Sequence, residues 1–322
     1  MGTVYYNGLH WCNPVGPSSQ PQYTAGQQFS SAVMLAVGNI SYSGCATGYN
    51  GWQEQCSWIR NNTGRTGEII LRLYWPSGSC IGSDPGQTLG TAFYNEIVQP
   101  AVVNFGIRNF QVLNELNVEY ETYKSRQALA GDMYNIAYWI KHLAQQNNLG
   151  LVYLGFPGPG TLATQDPASS DWNAYWDTYA PYITQTTDQG NAYNWLAVHA
   201  YEYSASGLAG RMEGQYNSLV GKFPGYPHRY TEYGIPLDGA GYCSPLPCGD
   251  PNAYQARAND CSSAIATFRN YVQSQAGPDV YSVCYYIAYD SDAGSQDGAD
   301  TRYELVLDNN NLGPAQTLAG TF

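Results

Sequence analysis

Apolar residues along this chain gather in short, nearly unbroken runs rich in β-branched, leucine and tyrosine residues. They are Val4–His10, Ala32–Val37, Glu68–Trp75, Asn109–Leu113, Gly150–Phe156, Trp195–Tyr201, Arg229–Tyr233 and Tyr281–Tyr289. Near-continuous apolar character, without strict alternation, marks strands covered on both faces, as in a parallel sheet. Between the runs the period changes. Leu129, Met133, Ile136, Ile140 and Leu143 recur at steps of three and four within Ser125–Asn148, which predicts a helix with one apolar face and Ser125 as its N-cap. Ala256, Cys261, Ile265, Phe268 and Val272 repeat the theme in Ala253–Gln275, which Gly277-Pro278 ends. Weaker helical patterns fit Trp52–Asn61, Thr91–Phe105, Trp172–Gln189 and Arg211–Phe223; the first strand-helix unit, around Gln20–Ser31, is poorly defined. Alternation of strand and helix through eight runs predicts an α/β fold, a single (β/α)₈ TIM barrel occupying residues 1–322 as one domain.

The long polar segments follow strands: Cys12–Tyr23, Pro76–Leu89, Pro157–Ser170, Leu237–Asn252 and Asp290–Thr301. In such barrels these segments build the active face. They carry Cys12, Cys80, Cys243 and Cys248 of the eight cysteines. No CxxC spacing supports a zinc site, so disulfides formed in an oxidising compartment are the expectation, with buried thiols the alternative. Cys243 with Cys248 is the first pairing expected and Cys45 with Cys56 the second. This places the protein outside the cell, with disulfide-bearing loops on the active face. Charge narrows the partners further. Thirteen basic against 25 acidic residues leave a net charge of −12, and only three lysines are present. A nucleic-acid binder needs a basic face to neutralise phosphates, and an anionic membrane surface is an equally poor partner. No apolar run approaches the roughly 20 residues that span a bilayer.

Two glutamates close strands in polar company. Glu115 stands in Gln111-Val112-Leu113-Asn114-Glu115-Leu116-Asn117 after the fourth run, and Glu232 stands in Tyr230-Thr231-Glu232-Tyr233-Gly234 in the seventh. An ionisable residue directly after an apolar strand is costly unless it is partnered or belongs to a site. Two carboxylates at one barrel mouth suit glycoside hydrolysis, where one donates a proton to the leaving oxygen and the other meets the positive anomeric carbon. Separately, Glu115 also reads as a helix-capping residue and Glu232 as half of a rim ion pair.

On these residues the sequence resembles glycoside hydrolase clan A, the retaining (β/α)₈ glycosidases that include cellulases, mannanases, xylanases and β-galactosidases. The clan places an Asn-Glu pair after strand four, usually followed by Pro, and a nucleophilic Glu after strand seven; here Asn114-Glu115 is followed by Leu116. The resemblance implies that Glu115 is the acid/base, Glu232 the nucleophile and Asn114 a ligand of the sugar 2-hydroxyl. Many members carry His-x-Tyr at strand six, matched by His199-Ala200-Tyr201. Its period of two points both side chains to one side, although His199 also reads as a barrel-core histidine. Glu202 follows and is a candidate for sugar hydroxyls or a competing carboxylate. Where the clan usually places a tryptophan, this chain has Tyr286 and Tyr289, either of which is a candidate for the floor of the sugar site. The resemblance covers the whole chain in architecture and is specific at residue level around Glu115, His199 and Glu232. It assigns no subfamily.

Supporting residues come from the runs themselves. Arg72 interrupts Ile69-Ile70-Leu71-Arg72-Leu73 and wants a carboxylate partner, Glu232 or a structural one. His10, Trp11 and Trp75 end strands one and three, where aromatic planes could stack on pyranose rings. The acidic loop Asp290–Asp300 does not match the spacing of an EF-hand calcium loop, and the turn-rich Gly155-Phe156-Pro157-Gly158-Pro159-Gly160 lacks the lysine of a phosphate-binding loop. No cofactor or metal is expected. The expected protein is a secreted, monomeric retaining glycosidase acting on a β-linked, mostly neutral oligo- or polysaccharide. The alternative is a non-catalytic carbohydrate-binding or assembly protein on the same scaffold, which would have no reason to keep both glutamates.

Overall fold

The structure is a computed structural model that describes residues 2–11, 32–37, 52–62, 68–74, 85–238, 241–243, 249–286 and 313–321. Its elements are β1 (Val4–Trp11), β2 (Ala32–Val37), α1 (Trp52–Asn62), β3 (Glu68–Leu73), α2 (Pro85–Phe93), α3 (Gln99–Phe105) and β4 (Asn109–Val112). They continue with α4 (Leu116–Glu119), α5 (Arg126–Gln146), β5 (Tyr153–Phe156), α6 (Ser170–Ile183), β6 (Thr186–Thr187), β7 (Gly190–Asn191) and β8 (Trp195–Tyr201). The last are α7 (Ala205–Lys222), β9 (His228–Gly234), α8 (Pro251–Ser274), β10 (Val280–Tyr285) and α9 (Gly313–Ala319). One turn of π-helix, Tyr94–Val98, joins α2 to α3. The main sheet runs β1-β10-β9-β8-β5-β4-β3-β2 and closes on itself. The described pairings of this sheet are parallel, for example Val4↔Val280 and Tyr6↔Ser282 between β1 and β10, or Ile70↔Asn109 and Arg72↔Gln111 between β3 and β4. Its eight strands lie where the eight apolar runs predict them. None of the described helices is long and apolar enough to cross a membrane.

Contacts divide the chain into two compact units, one of Met1–Leu35, Trp58–Glu68 and Val198–Phe322, the other of Ala36–Ser57 and Ile69–Ala197. In the second, α5 buries the predicted stripe of Leu129, Met133, Ile136 and Ile140, and Ser125 Oγ accepts from Ala128 N at 3.4 Å as its N-cap. Aromatic rings fill the space between β5 and α6. Phe156 lies 4.9 Å from Tyr179 and 5.0 Å from Tyr193, and Tyr175, Trp172 and Trp176 complete the group. The α6 helix ends at Ile183, earlier than the pattern through Gln189 suggested. Thr186–Asn191 instead forms the small antiparallel hairpin β6-β7. Lys141, fully buried on α5, holds that hairpin by donating to Asn191 O and, at 2.9 Å, to Asn194 Oδ1. Burial without a carboxylate partner among these contacts lowers its pKa to about 7.

In the first unit, α7 begins at Ala205, six residues before the expected Arg211, and its N-cap Ser204 accepts at Oγ from Gly207 N at 3.1 Å. Asp250 caps α8 in the same manner, accepting from Asn252 N at 2.9 Å, with Pro251 in the first turn. The buried stripe of α8 passes through Tyr254, Arg257, Cys261, Ile265, Phe268 and Val272; Ala256 faces out. Arg257 takes the inward position because its guanidinium stacks on Tyr254 at 5.3 Å and on Tyr285 at 5.7 Å.

The cysteines require a correction. Cys56, Cys261 and Cys284 are buried and lie outside any disulfide, so Cys56 does not carry the bond expected from Cys45. Cys56 sits on the buried face of α1 at 0% exposure, packed as a small hydrophobe. Cys243 is disulfide-bonded. Cys12, Cys45, Cys80 and Cys248 lie outside the described residues, as do Trp75, Tyr289 and the acidic loop Asp290–Asp300.

Candidate active site

Glu115 is presented by a bent strand exit. Leu113 N still donates to Leu73 O at 2.9 Å, but Leu113 then adopts φ 61° and Glu115 φ 20°. Side chains disfavour that region, and a residue held there costs on the order of 1–3 kcal/mol. Gln111, fully buried on β4, supports the bend by donating from Nε2 to Leu113 O at 3.0 Å. Glu115 occupies the N-cap position of α4, yet its side chain makes no capping hydrogen bond. The helix-capping alternative is therefore excluded.

The neighbours of Glu115 orient one another. Asn114 Nδ2 donates to Glu119 Oε1 at 2.7 Å, and its buried Oδ1 has no protein partner. A buried acceptor left without a donor is uncommon and asks for an explanation. Asn117 clasps Gly160 from both sides, its Nδ2 donating to Gly160 O at 3.0 Å and its Oδ1 accepting from Gly160 N at 2.8 Å. Tyr175 lies wholly inside, its hydroxyl donating to Pro157 O at 2.8 Å. Its pKa is pushed well up, mainly by burial, with the charges of Tyr179, Glu121 and Glu115 adding to the effect. Arg72, 3% exposed, lies in β3 opposite Gln111.

Glu232 is held differently. Every residue of β9 is buried, Glu232 at 5% exposure, and none takes a positive φ, although the register with β10 shifts between Tyr230 and Tyr233. Tyr201 Oη donates to Glu232 Oε2 at 2.6 Å, and His199 Nδ1 stands 3.5 Å from the same oxygen. The alternation of β8 carries His199 and Tyr201 to one side, and both reach the carboxylate. Buried charges need such partners, and short charge-assisted hydrogen bonds are the strong kind. Tyr286 meets Tyr201 edge-on, with ring centroids 6.1 Å apart, and its N–H donates to Tyr233 O at 3.0 Å. Glu202 faces Arg211, which donates from Nε at 2.7 Å and also pairs through Nη2. Both contacts fall on Glu202 Oε1. Tyr203, next along, is 50% exposed and went unnoticed in the sequence, where nothing distinguishes it from 29 other tyrosines. His10 and Trp11 end β1 opposite Met34 and Leu35; their side chains lie outside the described set.

Comparison with solved structures shows the fold in enzymes of glycan breakdown. The chain is similar to two fungal β-1,4-galactanases, with TM-score 0.63, 12% identity, and 98% of this chain and 99% of that one covered. A xylanase from Cellvibrio japonicus gives TM-score 0.58 and 12% identity over 98% of each chain. An endo-β-1,3-glucanase from Amycolatopsis mediterranei, solved with laminaripentaose, gives TM-score 0.51 and 10% identity over 100% of each chain. No protein-family profile and no curated protein sequence matches the chain.

Proposed function

We propose that this protein is a retaining glycoside hydrolase that cleaves a β-linked, mostly neutral glycan by double displacement. The observation that carries the reading is the treatment of Glu232. A carboxylate buried in a strand is aimed by a tyrosine hydroxyl at 2.6 Å, with an imidazole close by, which suits a nucleophile that must keep its charge and its direction. Three further points support it. Glu115 also follows the C-terminal end of a strand in the same parallel sheet, where active sites of such barrels are built. The fold is that of a galactanase, a xylanase and a β-1,3-glucanase. Asn114 keeps a buried acceptor open for a substrate hydroxyl.

In the first step Glu232 Oε attacks the anomeric carbon as the bond to the leaving oxygen breaks, and Glu115 gives that oxygen its proton. In the second, Glu115, now ionised, takes a proton from water, whose oxygen displaces Glu232 and regenerates the β-anomer. The protein works as a secreted, monomeric, single-domain enzyme without a metal or cofactor, and the disulfide at Cys243 joins it to Cys248 on the active face. Tyr286 and Tyr203 present ring surface to the sugar.

A screen of chromogenic β-glycosides and β-glycan polysaccharides, with product anomers read by NMR, tests the reading. Initial release of the β-anomer supports it, and an α-anomer refutes retention. Glycan binding without turnover would favour the carbohydrate-binding alternative. An experimental structure should show carboxyl groups about 5–5.5 Å apart; about 6.5–9.5 Å would mean inversion.

A further inference from the structure

The loop after β5 has no part in the proposed chemistry, yet it is built with unusual care. Pro157, Gly158, Pro159 and Gly160 are all buried. The Tyr175 hydroxyl fixes the first of them and the Asn117 amide fixes the last at both its N–H and its C=O. Asn117 Nδ2 also reaches Thr164 Oγ1 at 3.2 Å, and turning the amide over would set donor against donor and acceptor against acceptor at Gly160. The bare Cα of Gly160 faces Glu115. A Cβ there would overlap Glu115 Oε2 and lie 2.5 Å from Glu115 Cδ and 2.7 Å from Val118 Cγ2. Gly160 carries no positive φ, so backbone freedom does not explain the glycine; close approach does.

We infer that Asn117 and Gly160 form a seat that positions the Glu115 carboxylate, with Asn117 fixing the height of the loop and Gly160 leaving room for Oε2. Both are positioning residues, and the inference rests on the proposed acid/base role of Glu115. A methyl at residue 160 displaces the ends of two side chains, the Glu115 carboxylate and the Val118 Cγ2 methyl, the latter on a residue 42% exposed. The fold therefore tolerates the change, while the proton donor loses its place. A misplacement near 1 Å can cost on the order of 100-fold in rate.

The test uses phenyl and 2,4-dinitrophenyl β-glycosides of an accepted sugar, because only the phenolate needs protonation to leave. In Gly160→Ala and in Asn117→Ala, kcat/KM for the phenyl glycoside should fall about 10- to 100-fold, while that for the dinitrophenyl glycoside stays within about threefold. Gly131→Ala, on α5 where a Cβ meets nothing, should leave both unchanged. Equal losses on the two substrates, or no loss on either, would overturn the seat while wild-type activity still upheld the acid/base reading. Should Gly160→Ala fail to fold, Asn117→Ala, which adds no atoms, decides the matter by the same ratio. A wild-type protein inert on every glycoside would remove the role of Glu115 and the seat with it.

Discussion

The exits of β4 and β9 each deliver a glutamate, and they do so by opposite means. At β9 no residue takes a positive φ, the strand only slips its register with β10, the carboxylate is buried, and side chains from β8 hold it directly. At β4 the backbone itself is bent, with two non-glycine residues at positive φ, and Glu115 remains half-buried against a packed loop. A nucleophile must point one way and keep water out, which burial and a phenol achieve. An acid that becomes a base must meet a leaving oxygen in one step and a water in the next, which suits partial exposure. The contrast predicts that the two residues fail differently when removed.

The largest expected effect is that of Glu232→Ala, which should lower kcat on every substrate by on the order of 10⁴-fold or more, because no covalent intermediate forms. Glu115→Ala should spare the first step for dinitrophenyl glycosides and then stall at the intermediate. Added azide, which needs no base, should restore turnover as a β-glycosyl azide. Rescue of Glu232→Ala to an α-azide, with Glu115→Ala dead, would exchange the roles. Next comes Tyr201→Phe. A hydrogen bond to a charged group contributes about 1.5–3 kcal/mol, so kcat/KM should drop about 10- to 150-fold on good and poor leaving groups alike. A loss confined to poor leaving groups would instead place Tyr201 on the acid's side of the reaction.

The smallest effect concerns stability, away from both exits. Burial holds the folded pKa of Lys141 near 7, below its value in the unfolded chain. Between about pH 7 and 10.4 the unfolded state therefore binds more protons, so this residue makes stability rise with pH, by at most about 1.4 kcal/mol per unit. Urea unfolding at successive pH values should show that rise relative to Lys141→Met, and parallel curves for the two proteins would refute it.

What could be read in the sequence was whatever the chain's own periodicity dictates. The apolar runs mark the sheet strands because a strand covered on both faces has no polar alternation, and the three-four stripe of α5 shows its buried face. His199 and Tyr201 reach one side because a strand alternates. Where tertiary contacts overrule local pattern, the reading slipped. The inward position on α8 goes to Arg257 because two rings from different elements receive it. Lys141 is buried by a hairpin that resembled the end of a helix. The Cys45–Cys56 pairing rested on spacing alone, whereas Cys56 belongs to the buried side of α1. Asn117 and Gly160, separated by 43 positions, carry no mutual signal in one sequence.

A last consequence follows from β5 and β8. Gly155 pairs in register with Trp195, and a Cβ on Gly155 would overlap the six-membered ring of the indole. The smallest residue and the largest thus share one volume. A methyl at 155 has nowhere to go while the indole stays, and a smaller ring at 195 leaves a void that the glycine cannot fill. Each single change departs from close packing, whereas a matched exchange conserves volume. In relatives of this chain the two positions are expected to change together or not at all, so an altered residue at one of them foretells its partner.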